Sequence, residues 1–134
     1  MRKVYLILIT CIFFVTISCK VEVPSPDAEK IFGTWRLIGT GYPYYPIDKT
    51  QQIEFKRNGI FLKYSQGKRI EKRRFQISEN KSMVYKNAKY QIDYNDDAFS
   101  NVPSISQIVY FQGNDTLSLQ DDGYDAQGAI YVRK

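Results

Sequence analysis

Residues 51–70 read QQIEFKRNGIFLKYSQGKRI, and this stretch decides the fold class. Asn58-Gly59 at its centre is the strongest short signal for a β-hairpin, because both positions tolerate positive φ. A two-residue loop there pairs Arg57 with Ile60, Phe55 with Leu62 and Ile53 with Tyr64. Those apolar residues then share one face. The other face sets Glu54 against Lys63, an opposite-charge cross-strand pair. Ser65-Gln66-Gly67 follows as a three-residue loop with Gly in the left-handed position, which keeps Ile70 on the apolar face. Phe75 and Ile77 have the opposite parity to Ile70, which predicts a β-bulge between Glu71 and Arg74.

Outward from this hairpin, strand candidates cover 33–40, 51–57, 60–65, 68–77, 82–87, 89–94, 106–112, 115–120 and 126–133. The runs 82–87 and 89–94 read as one strand bent through Asn87-Ala88, which leaves eight. A turn at Gly113-Asn114 sets Ile108 and Tyr110 opposite Leu119 and Leu117. Ahead of the strands, Ser25-Pro26-Asp27-Ala28-Glu29 carries a helix start: a capping Ser, Pro at the first helical position and acids in the first turn. One or two turns are expected, ending near Phe32 and broken by Gly33. Successive strands joined by tight turns form a meander, which avoids open edges by closing or folding over. The expected fold is all-β: an up-and-down antiparallel eight-stranded barrel behind a short helical turn, with a β-sandwich as the alternative.

The first residues carry a different message. Arg2 and Lys3 precede an uncharged apolar run from Val4 to Ile17, the pattern of a secretory signal. A spanning helix needs about 20 apolar residues, and this run is shorter. It ends in Val15-Thr16-Ile17-Ser18-Cys19, which resembles the lipobox of bacterial lipoproteins. The resemblance implies removal of residues 1–18 and a covalent lipid on Cys19: diacylglycerol on sulfur and an acyl chain such as palmitate on the amine. Burying a chain is worth about 0.8 kcal/mol per CH₂, so several chains anchor firmly where one does not. Lys20 stands where an inner-membrane retention signal has Asp, which points to the outer membrane, on its periplasmic or surface side. Residues 19–30 read as a lipidated tether and 31–134 as the domain.

The chain has two Cys, no His and a formal net charge of +5, two units of which leave with Arg2 and Lys3. The remainder is ordinary surface balance and does not call for nucleic acid. Cys11 lies in the signal and Cys19 carries lipid, so no disulfide is expected and the core must hold the fold.

Gly33-Thr34-Trp35 on the first strand resembles the Gly-x-Trp signature of the lipocalins and wider calycins. That family also has an Arg near the end of its last strand, packed across the Trp, and Tyr131-Val132-Arg133 matches. The whole is similar to the lipocalin-like lipoproteins of Bacteroidetes. The resemblance implies a structural clasp of Gly33, Trp35 and Arg133, since a cation over an indole contributes about 0.5–2 kcal/mol. It also implies a ligand in the barrel mouth, small and apolar or amphipathic. The expected lining is Phe55, Leu62, Tyr64, Ile108 and Tyr110, with Tyr42, Tyr44 and Tyr45 above in a proline-stiffened loop. Tyr joins an apolar ring to a hydroxyl at low entropic cost; a loop packed on its own barrel is the plainer reading.

Lys68, Arg69, Lys72, Arg73 and Arg74 make a basic strand that reads as a solvated face or as a contact for lipid headgroups beside the anchor. Asp121-Asp122-Gly123-Tyr124-Asp125 and Asn95-Asp96-Asp97 read as turns, without the spaced ligands of a calcium loop. No nucleophile–base set, phosphate loop or zinc spacing is found, which argues against an enzyme and against a metal or cofactor beyond the lipid. The competing reading is a non-catalytic structural module with a filled core that joins a protein partner in the envelope.

Overall fold

The structure is a computed structural model that describes residues 20–41, 46–95, 106–124 and 127–134. Eight antiparallel strands run β1 (Gly33–Thr40), β2 (Gln52–Phe55), β3 (Ile60–Ser65), β4 (Lys68–Glu79), β5 (Tyr90–Asn95), β6 (Ser106–Gln112), β7 (Thr116–Asp121) and β8 (Gly128–Arg133). Each pairs with the next, and β8 pairs back with β1, so the sheet is a closed up-and-down barrel and not a sandwich. Closure leaves no sheet edge unpaired.

A single 3₁₀ helix, Pro26–Ile31, precedes β1. Ser25 flanks it without capping it; its hydroxyl lies 2.6 Å from that of Tyr90. Ala28 and Ile31 are fully buried and close one end of the barrel. The segment before the helix lies against the barrel. Val21 N–H donates to Arg57 O at 2.8 Å, and Val21 and Val23 pack against the core.

Three turns differ from expectation, and together they reset the register. The β2–β3 connection is a turn closed by Gly59 N–H to Lys56 O, with Gly59 at φ 80° and Asn58 not at positive φ. This is a type I turn extended by a left-handed residue, one residue longer than the two-residue hairpin. It pairs Phe55 with Phe61 and Ile53 with Lys63. The β3–β4 turn is one residue shorter than expected: Ser65 pairs with Lys68 across Gln66 and Gly67, both at positive φ. That is the requirement of a type I′ hairpin. The bulge falls at Ile70, where the register jumps from Lys63–Glu71 to Tyr64–Arg69, just before the expected 71–74 window. At the β6–β7 turn Gln112 pairs with Thr116, which again shifts the partners by one. Because side chains alternate, each shift moves an entire row to the other face.

Residues 82–87 are not a strand. The Asn80 amide donates to the carbonyls of Tyr85 and Ala88, and Ser82 Oγ accepts the backbone N–H groups of Val84 and Tyr85. This coiled segment lies on the outer face of β5–β7. Gln120 Nε2 donates to Tyr85 Oη at 2.7 Å, Tyr85 Oη donates to Gly123 O at 3.0 Å, and Ser82 Oγ donates to Asp122 at 2.6 Å.

Candidate functional site

Inward rows change character along the barrel axis. At the helix end the interior is solid: Trp35, Phe55, Phe75, Ile92 and Leu117 are all but fully buried. Phe55 meets Phe75 edge-on at 5.0 Å between ring centroids, a favoured aromatic geometry. Trp35 Nε1 donates to Ile31 O at 2.8 Å. The Arg133 guanidinium lies 4.2 Å from the Trp35 ring centroid and donates to Lys30 O, Phe32 O and Asn114 O. At Lys30 and Phe32 it thereby satisfies carbonyls that the helix end leaves orphaned, and at Asn114 it ties in the β6–β7 turn. Gly33 holds φ +126°, and a Cβ there would stand 2.9 Å from Arg133 Nη1. Only glycine fits both the conformation and the space. Gly33, Trp35 and Arg133 thus meet at one point in the closed end.

At the opposite end the same rows turn polar. Lys63 extends the row of Phe61, Glu71 and Arg73 extend that of Phe75, and Gln107 and Asp121 extend those of Val109 and Leu119. These side chains, with Tyr94 and Tyr131, line a cavity of about 230 Å³ floored by Ile53, Phe61 and Leu119. A second, larger space of about 400 Å³ shares Lys63, Gln107, Leu119, Asp121 and Tyr131 and reaches Leu37, Thr40 and Gln51 at the rim.

The polar groups of the mouth are partly tied to one another. Tyr94 Oη donates to Gln107 Oε1 at 2.8 Å, and Gln107 Nε2 donates to Asp121 Oδ1 at 2.8 Å. Arg73 pairs with Glu71 and lies over the Tyr94 ring at 5.8 Å. Two groups stand apart. Among the described residues Lys63 makes no ion pair, and the Tyr131 hydroxyl makes no hydrogen bond. Burial, with the nearby Glu71 and Asp121 charges, pushes the Tyr131 hydroxyl up to about 12. Burial also holds the Tyr94 hydroxyl well above the ordinary tyrosine value. Both phenols are therefore neutral donors at any physiological pH.

None of Phe55, Leu62, Tyr64, Ile108 and Tyr110, the described residues expected from sequence to line the mouth, is here. Leu62 and Tyr64 lie on the outer face of β3, because the longer β2–β3 turn inverts their row. Tyr64 Oη instead donates to Glu54 at 3.3 Å. Ile108 and Tyr110 lie on the outer face of β6, opposite Gln120 and Ser118. Ile108 is nevertheless fully buried, under the 80–89 segment. Phe55 does point inward, into the solid part of the core. Tyr42, Tyr44, Tyr45 and Cys19 lie outside the described residues. Sequence reading passed over Lys63, Gln107 and Asp121. They share parity with Phe61, Val109 and Leu119, and that parity is readable only once the turn lengths are known.

The molecule is thus a closed eight-stranded barrel with a solid helix-capped end and a small polar mouth. No protein-family model, curated protein or solved structure matches the chain.

Proposed function

We propose that this is a lipid-anchored, lipocalin-like protein of the outer envelope. Its mouth takes up one small amphipathic ligand with a hydrogen-bonding, anionic head. The observation that carries the reading is the pairing of an unengaged ammonium, Lys63, with an unengaged neutral phenol, Tyr131, in a walled cavity. Together they offer donors to a carboxylate or phosphate oxygen. Asp121 and Glu71 sit beside them and favour a ligand that also carries a donor. The Leu119, Phe61 and Ile53 floor supplies an apolar seat for the other end. An eight-stranded barrel has room for filling side chains or for one small ligand. Here filling accounts for the lower barrel, and the space is confined to the mouth. A purely apolar ligand would leave these polar groups desolvated without partners, which is costly.

The anchor reading rests on the signal and lipobox. The described chain suits it, since its N-terminal residues run out along the barrel surface and are not threaded through the core. A filled lower barrel also suits a structural module, the competing reading. Native mass spectrometry of the chain from Lys20 onward, purified without detergent from its own host, separates the two. A co-purifying small mass that disappears in Lys63→Met and in Leu119→Trp makes the protein a carrier. A clean apo mass, unchanged after incubation with envelope lipid extract, sinks that reading and turns the search to protein partners.

A further inference from the structure

Lys68, Arg69, Lys72 and Arg74 are all exposed on β4. Lys72 and Arg74 pair laterally with Leu62 and Ile60, whose row faces out, and Arg69 pairs with the outward Tyr64. Among the described residues none of these four cations has an acidic partner. Other surface cations are either paired, as Lys30 with Asp27, Lys56 with Glu54 and Arg57 with Glu29, or scattered singly, as Arg36 and Lys49, whereas these four lie within seven residues of one strand. Ile70 is the extra residue of the bulge, between Arg69 and Glu71, and its side chain is 58% exposed beside these cations. An apolar side chain beside unpaired cations suits a surface that is anionic outside and apolar just beneath.

The start of the described chain lies on this same side. Val21 is bonded to Arg57, its methyl lies against Gly59, and Lys20 to Pro24 face Arg74 to Glu79 across an open groove. Two residues of extended chain span at most ~7 Å. A lipid on Cys19 would therefore enter the membrane beside Arg74, with no slack to let the barrel turn away. Resting on the lipid-anchor reading, we infer that the outer face of β3–β4 lies flat against anionic phospholipid headgroups. Arg69, Lys72 and Arg74 make the contact, and Ile70 beside Arg69 enters it. The mouth then opens beside the bilayer rather than into it.

The test uses the lipidated mature protein reconstituted in vesicles, with a single free thiol introduced by Ile70→Cys or by Ile130→Cys. Ile130 is 39% exposed on β8, across the ring from β4. On phosphatidylglycerol-containing vesicles, a membrane-impermeant maleimide should modify position 70 several-fold more slowly than position 130. The difference should vanish on pure phosphatidylcholine. It should also vanish in 1 M salt, where the Debye length shrinks to about 3 Å, and in the triple variant Arg69→Glu, Lys72→Glu, Arg74→Glu. Equal rates at both positions on anionic vesicles that retain the protein overturn the inference and leave the face to a protein partner. Shielding that persists on neutral vesicles also overturns it. Protein that leaves the vesicles altogether overturns the anchor reading itself.

Discussion

Two cations of the barrel interior invite comparison. Arg133 at the closed end spreads its guanidinium over Trp35 and spends its N–H groups on three backbone carbonyls. Lys63 at the mouth lies on an inward strand row as well but has no ion pair among the described residues. A half-buried cation with fixed partners holds a fold together, whereas one facing a cavity without partners contributes little to stability and is available to a ligand. On the proposed reading the closed end is the mechanical part of this molecule and the mouth its binding part.

That division can be broken by experiment. The largest effect should come from Trp35→Ala, which removes a fully buried indole together with its hydrogen bond and the seat of Arg133. A loss of about 3–5 kcal/mol is expected in urea unfolding. A loss below 1 kcal/mol would deny the closed end its structural role.

Alkali should test the mouth next. Tyr131 ionises near 12 in the fold and near 10 when unfolded. Its contribution is complete below pH ~10 and is lost as the pH rises toward 12, because the unfolded chain gives up its proton first. Two pH units correspond to roughly 2–3 kcal/mol. Tyr131→Phe should flatten the fall in stability above pH 10, and an unchanged pH profile would contradict its burial.

Gly33→Ala should cost about 1–3 kcal/mol, since it strains a positive φ and crowds Arg133. Thermal melts of the double variant Gly33→Ala, Arg133→Ala should then show less than the sum of the single losses. Tyr85→Phe is expected to lose about 1 kcal/mol with its two hydroxyl hydrogen bonds, which pin the 80–89 segment. Hydrogen exchange should then rise within 80–89 and leave β1 and β8 unaffected. The smallest effect belongs to Lys63→Met, within about 0.5 kcal/mol in stability, with ligand capture lost. A large destabilisation there would erase the contrast with Arg133.

Much of the closed end was legible in the sequence. Gly33, Trp35 and Arg133 could be named before the fold was known, and β1, β3 and β6 were bounded to the residue. The mouth was not legible. Loop lengths at Asn58-Gly59 and Gln66-Gly67 each differ from expectation by one residue, and one residue inverts a row. That error placed Leu62 and Tyr64 inside and Lys63 outside. The 82–87 run failed for another reason. Val84 and Tyr85 are half-buried over β5–β7 while Met83 is exposed, so the run has the composition of a strand without its alternating burial.

Sequence by itself determined the class of fold, because alternation, turn residues and the absence of a helical period after residue 32 are local properties of the chain. Which residues face the cavity was decided only by the tertiary structure. Facing depends on register, and register is settled jointly by turn geometry, by a bulge at Ile70 and by closure of β8 onto β1. None of these can be summed from short windows, since each couples strands distant in sequence.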